Sequence, residues 1–200
     1  MEFKKIQLNG FKSFAEKTNF LIEDGLTGIV GPNGCGKSNI VESLRWAMGE
    51  TSAKSMRGSG MEDVIFNGTS NKTSKNIAEV SILVDNASHE GPLHYKDIDQ
   101  IEVKRKIEKD KGSKFYINNK EVRARDAQMF FADLSTGAHS PSMISQGRIG
   151  ALVTAKPTDR RAILEEAANI SGLHVRRHEA ELRLNAAEAN LKRADELRRQ

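Results

Sequence analysis

The sequence predicts an α/β fold with a mixed or antiparallel sheet, and three observations predict it. A glycine-rich segment, GPNGCGKSN from Gly31 to Asn39, lies between an apolar run, Leu26 to Val30, and a helix-compatible stretch, Ile40 to Met48. Short segments of period-two alternation recur between turn residues, as in Phe3 to Leu8, Thr18 to Ile22 and Gln100 to Glu108. From Leu173 to Gln200 neither Pro nor Gly appears, and Ala180, Leu184, Ala187, Leu191 and Ala194 recur at intervals of 4, 3, 4 and 3. That is heptad spacing.

Taken in order, Phe3 to Leu8 reads as a strand that Gly10 ends, and Thr18 to Ile22 as a second strand pairing antiparallel with it. Leu26 to Val30 is continuously apolar enough to be a central strand. A helix follows from Lys37 to about Met48, then a Gly- and Ser-rich loop, Gly49 to Gly60, with a short turn of helix. Val64 to Phe66 reads as a short strand and Asn67 to Asn76 as a polar turn. Ile77 to Val84 and Gln100 to Glu108 are strands on their apolar spacing, separated by a loop. Lys109 to Ser113 closes a hairpin onto Lys114 to Ile117, and Asn118-Asn119 makes a further turn. Ala124 to Leu134 is helical, Gly137 to Gly150 is too polar and glycine-rich for a core element, and a helix capped by Thr158 or Asp159 runs Arg160 to Asn169. Ser171-Gly172 reads as a kink before the terminal helix, which at roughly 1.5 Å per residue is about 40 Å long. That length exceeds what a small core can bury, and the helix stops at Gln200 without cap or turn, as a truncated coiled coil does.

Two hundred residues at 38% hydrophobic support one substantial core. The formal net charge is +4, and its distribution is uneven. Lys104, Arg105, Lys106, Lys109, Lys111, Lys114, Lys120, Arg123 and Arg125 face only Glu108, Asp110 and Glu121 in the same stretch. This is either a solvated hairpin with ordinary surface cations or a contact for an acidic partner such as nucleic acid. The single cysteine, Cys35, excludes a disulfide scaffold and suits a reducing compartment. The start, MEFKKIQLNG, carries no signal-peptide core, and no apolar run is long enough to span a membrane.

Gly31, Gly34, Gly36, Lys37 and Ser38 fit the phosphate-cradling pattern G-x-x-x-x-G-K-S. Backbone N–H groups in such a loop converge on an anion at a helix N-terminus. Lys37 would bridge the β- and γ-phosphates of a nucleoside triphosphate, and the Ser38 hydroxyl would ligate Mg²⁺. Hydrolysis also needs a carboxylate at the end of an apolar strand and a group that positions water. Ile82-Leu83-Val84-Asp85 is the one fair match, and no second carboxylate follows it. Asp85 is therefore either a magnesium ligand or a strand-end turn residue. Gln146, in the glycine-rich loop, is an uncharged ligand candidate or an exposed surface residue.

Several further segments carry a family resemblance: Ile6-Gln-Leu-Asn-Gly-Phe-Lys-Ser-Phe14, Ala47-Met-Gly-Glu50, Lys54-Ser-Met-Arg-Gly58 and Met61-Glu-Asp-Val-Ile-Phe66. Ile144-Ser-Gln-Gly-Arg148 and Arg160-Arg-Ala-Ile-Leu-Glu-Glu-Ala-Ala168 extend it over essentially the whole chain. The chain closely resembles the N-terminal head segment of bacterial SMC chromosome-partition proteins. The related Rad50, RecN and RecF head families share the loop and the opening strand but match the later segments less well.

The resemblance implies the N-terminal lobe of an ABC-type ATPase head, residues 1–170, followed by the start of a long coiled-coil arm, 171–200. It implies ATP and Mg²⁺ as ligands. Lys12, Ser13, Pro32, Asn33, Gly34, Cys35, Gly36, Lys37, Ser38, Asn39, Arg57 and Gln146 would line the nucleotide. Lys37 and Gln146 would serve catalysis, and Ser38 and Gln146 would approach the metal. Arg57 resembles a basic residue beside the nucleotide that influences stimulation by DNA. The family's signature motif, acidic strand and switch histidine are missing from this sequence and belong to a C-terminal lobe. The expected partners are that lobe, a second head in a homodimer, double-stranded DNA and kleisin-type accessory subunits. The expected location is the cytoplasm, on the nucleoid. Lys104, Arg105, Lys106, Lys109 and Lys111, with Arg57, are the candidate DNA contacts. Rival readings are a repair-type head of the Rad50 or RecN kind, a coiled-coil interaction module with a static nucleotide site, and a small-molecule kinase. The chain alone is expected not to turn ATP over.

Overall fold

The computed structural model describes residues 1–89, 91–134, 143, 153–158, 160–161, 164 and 171–199. Its centre is one antiparallel sheet of six strands: β1 (Glu2–Asn9), β2 (Thr18–Leu21), β3 (Ile77–Asp85), β4 (Gln100–Glu108), β5 (Gly112–Ile117) and β6 (Lys120–Val122). The order across the sheet is β2-β1-β3-β4-β5-β6, with every neighbouring pair antiparallel. The fold also includes the helices α1 (Lys37–Ala47), α2 (Ala124–Asp133) and α3 (Ser171–Arg199).

The alternation in the sequence becomes a two-faced sheet. Ile6 and Leu8 of β1, Ala78, Val80, Ile82 and Val84 of β3, and Ile101, Val103 and Ile107 of β4 are buried on one face. From α1, Ile40, Ser43 and Ala47 form a buried stripe at helical spacing, with Trp46 beside it. Phe130 and Phe131 of α2 join the same core, and Tyr95 meets Phe130 edge-to-face at 5.6 Å between ring centres. The backbone of α3 lies against α2.

Arg105 stands on the inward face of β4 and is only 4% exposed. Its guanidinium lies 4.6 Å from the centre of the Trp46 ring and 4.7 Å from that of Phe115. Nη1 donates to the carbonyls of Trp46 at 2.8 Å and Glu50 at 2.7 Å, and Nε donates to Ser113 Oγ at 2.7 Å. Burial lowers its pKa to about 10, against a smaller opposing pull from Glu50. Arg105 thus ties the C-terminal end of α1 to the sheet.

Leu26 to Val30 differs from the expected central strand. These residues form no strand, with Leu26 100% and Val30 94% exposed. An isolated strand cannot satisfy its own N–H and C=O groups, and no described strand pairs with this run. Val64 to Phe66 also falls short of a strand. A 3₁₀ turn occupies Met61–Val64, and Ile65 makes only an isolated bridge to Phe11. Asn118 and Asn119, both at positive φ, turn the chain into β6, a short strand that periodicity over three residues cannot reveal. The turn of helix foreseen in the Gly49 to Gly60 loop is the 3₁₀ segment Lys54–Met56. Ser171-Gly172 is helical and falls at the start of α3. Of the expected helix Arg160 to Asn169, Arg160, Arg161 and Leu164 are helical and the other positions lie outside the described residues, as does most of Gly137 to Gly150.

Candidate nucleotide-binding site

Gly36 caps α1 at φ 92, in the left-handed region, and Gly34 sits at φ 82. Glycine adopts these angles without the cost of a Cβ. A Cβ on Gly36 would also come within 2.5 Å of Ser13 Oγ. The loop therefore lies directly on the β1–β2 turn, and its backbone enters α1 through a tight first turn in which the Asn39 N–H donates to the Gly36 carbonyl at 2.9 Å. Lys37 Nζ donates back to the carbonyls of Gly31 at 2.5 Å and Pro32 at 2.6 Å, and Cys35 Sγ lies 3.7 Å away. The loop thus wraps its own lysine, and an anion in the cradle would take over those contacts. Pro32, Asn33, Gly34, Cys35 and Ser38 are exposed around it.

Behind the loop stands a polar network. Asn39 Nδ2 donates to Ser13 Oγ at 2.9 Å, and Asn39 Oδ1 accepts from Arg57 Nη2 at 3.1 Å. Glu42 pairs with both Lys12 Nζ and Arg57 Nε, and Lys12 Nζ also donates to the Met56 carbonyl. Lys12 and Ser13, Asn39, and Arg57, from three separate stretches of the sequence, are thus gathered on one side of α1. Lys12 is turned inward onto Glu42, not outward to the loop. Glu42 was not singled out in the sequence. It lies three residues after Asn39 on the same helical face, and no local signal in the sequence marks it. Asp63 steadies the segment that follows Arg57. Its Oδ2 accepts the N–H groups of Gly60 at 2.9 Å and Ser59 at 2.6 Å and the Ser59 hydroxyl at 2.9 Å, which together hold the carboxyl below its ordinary range.

Asp85 lies elsewhere. It pairs in register with Glu2, whereas Lys12 and Ser13 follow the opposite end of β1 at Asn9. Its Oδ1 accepts the Ala87 N–H at 2.9 Å, as a turn residue does. Among the described residues no cluster of three or more His, Cys, Asp or Glu could hold a metal. Gln146 lies outside the described residues.

The expected basic surface is altered in one respect. Arg105 is a core residue, because a strand presents alternate side chains to opposite faces and Arg105 falls on the inner one. Lys104 and Lys106 fall on the outer face. Lys104 stands 3.9 Å from both Glu79 and Glu102, and Lys111 pairs with Glu108 at 2.5 Å, so part of this charge is locally matched. Lys109 adds to the same edge through the turn that follows β4.

A glycine-rich cradle at the start of a helix, backed by an Asn–Arg–Glu–Lys network on an α/β scaffold, defines a P-loop nucleotide-binding lobe. The chain belongs to the RecF/RecN/SMC N terminal domain family, whose model matches residues 2–148. It is 57% identical over 98% of its length to the chromosome partition protein Smc of Cereibacter sphaeroides and 55% identical over 98% to that of Rhodopseudomonas palustris. It spans 17% of the length of each of these relatives. Among solved structures it resembles the Smc head domain of Pyrococcus furiosus with an extended coiled coil, bound to the C-terminal domain of ScpA. The TM-score is 0.78 at 30% identity, over 98% of this chain and 48% of that one. An SMC ATPase described for ATP-driven dimerization and DNA-stimulated activation aligns with TM-score 0.70 at 30% identity, over 84% of this chain and 99% of that one. The architecture is that of an SMC ATPase head, in its N-terminal part.

Proposed function

We propose that this chain is the ATP-binding N-terminal lobe of an SMC-type ATPase that organises DNA in chromosome condensation and segregation. The observation that carries the reading is a formed phosphate cradle entered by an apolar segment, Leu26 to Val30, that no described strand pairs. The segment becomes a strand when a C-terminal lobe of the same protein supplies its neighbour. The much greater length of the relatives leaves room for that lobe.

In this reading Lys37 exchanges the Gly31 and Pro32 carbonyls for phosphate oxygens, and the α1 N-terminus adds its backbone N–H groups. Bound Mg²⁺ neutralises charge on the β- and γ-phosphates. Ser38 is the loop side chain that would hold it, with Gln146 as a second ligand. The carboxylates that position water come from the C-terminal lobe. Two heads engage over two nucleotides and separate on hydrolysis, with kleisin-type subunits bridging them. Double-stranded DNA is held by charge, without sequence readout. Arg57, Lys104, Lys106, Lys109 and Lys111 are the contact candidates that remain once Arg105 is placed in the core. The site of action is the nucleoid, in the cytoplasm.

The isolated chain is expected to bind ATP, to lose that binding in Lys37→Ala, and to release no phosphate. Titration calorimetry alongside a phosphate-release assay checks this. Sustained turnover by the chain alone, abolished in Lys37→Ala, would contradict the division of the site between two lobes.

A further inference from the structure

Glu42 lies on α1 one turn beyond Asn39, and its side chain is only 10% exposed. A carboxylate this enclosed needs charged partners for its oxygens. Here they have two different ones: Oε2 meets the Lys12 ammonium and Oε1 meets Arg57 Nε. Lys12 and Arg57 share a second property. Both are non-glycine residues at positive φ, 46 and 54. Such angles are uncommon outside glycine and persist where the surroundings impose them. Two unfavourable backbone positions, on loops that are far apart in sequence, deliver their cations to one carboxylate.

The two cations are not equivalent. The Lys12 side chain is 13% exposed and is also bonded to the Met56 carbonyl, so it is fixed. Arg57 is 58% exposed and ends a turn of only three residues. Its fork carries five N–H donors. Nη2 already reaches Asn39, in the first turns of α1 just after Lys37 and Ser38. Arg57 can leave Glu42 by side-chain rotation, whereas Lys12 cannot leave without exposing a buried carboxylate.

We propose that Glu42 is a positioning residue that parks Arg57 against α1, so that a triphosphate in the cradle must compete with the carboxylate for the guanidinium. The inference rests on the reading of Gly31 to Asn39 as an ATP cradle. If Glu42 served only to neutralise Lys12, its loss would weaken the lobe and its ligand site together. If it parks Arg57, neutralising it frees the guanidinium for phosphate and binding tightens.

The test is the dissociation constant of a fluorescent ATP analogue, measured on the full-length protein in the wild type and in Glu42→Gln, Glu42→Asp, Arg57→Ala, Lys37→Ala and Glu42→Gln/Arg57→Ala. Glu42→Gln is expected to tighten binding roughly tenfold, the scale of one hydrogen bond to a charged group. The gain is expected to vanish in Glu42→Gln/Arg57→Ala, and Glu42→Asp, which keeps the charge, is expected to stay near the wild type. If Glu42→Gln does not fold, Glu42→Gln/Lys12→Met removes the buried cation with its partner and gives the same readout. Unchanged or weaker binding in a folded Glu42→Gln, or a gain that survives Arg57→Ala, overturns the inference while Lys37-dependent binding in the wild type upholds the cradle. No Lys37-dependent binding at all overturns both.

Discussion

Gly36 shows how one position joins backbone geometry to ligand binding. Its φ of 92 and the 2.5 Å approach of Ser13 Oγ leave no comfortable place for a side chain. Gly36→Ala is expected to weaken ATP binding at least tenfold while the melting temperature falls by only a few degrees, because the strain is local to the cradle. Calorimetric titration and a thermal melt together check it, and undiminished binding would count against the loop as the phosphate site. Glu42 makes the opposite point about legibility. Nothing in its local sequence separates it from a surface glutamate on an amphipathic helix. Its importance arises from Lys12 and Arg57, thirty and fifteen positions away, and such distances are closed only by the fold. Arg105 makes a different point, because the period-two alternation of Gln100 to Glu108 already sets it in line with Ile101, Val103 and Ile107. A run of cations reads as one surface until strand alternation sends every second side chain inward.

Among the elements, α1 is the hub. Its N-terminus forms the cradle, Asn39 and Glu42 collect the neighbouring loops, and Ser43, Trp46 and Ala47 face the core. Its far end is held by Arg105, which stacks between Trp46 and Phe115 and bonds two carbonyls. Arg105→Met fills much of the volume but orphans those carbonyls and the Ser113 hydroxyl. It is expected to cost about 3 kcal/mol in urea unfolding. Arg105→Lys is not expected to rescue it, since an ammonium can neither stack nor fork in this way. A loss below about 1 kcal/mol would contradict the role given to Arg105. β1, β3 and β4 were legible from their apolar period, because one face of each is buried, and β5 from the hairpin that precedes it. Leu26 to Val30 was legible as strand-forming and yet is no strand here. Its composition states a preference, and pairing decides whether the preference is met.

For the whole molecule, two of the exposed apolar stretches bear on the proposed second lobe and returning arm. Leu26 and Val30 are uncovered on the run into the cradle, and Leu184 and Leu191 lie 60% and 65% exposed along the heptad seam of α3. At about 1.5 Å per residue, the 29 residues of α3 extend roughly 43 Å. Such a helix needs a partner along its length, and the proposed partner is an antiparallel returning arm. Among the described residues no helix is long and apolar enough to cross a membrane. In the proposed reading, the nine residues Gly31 to Asn39 form one wall of an ATP site whose facing wall is supplied from elsewhere. The decisive measurement is steady-state ATP turnover when the purified chain is mixed with the C-terminal lobe of its own protein. Turnover that appears only in the mixture and disappears with Lys37→Ala is the expected result. Full activity in either component alone, or a mixture that remains inactive while the two lobes bind each other, would contradict it.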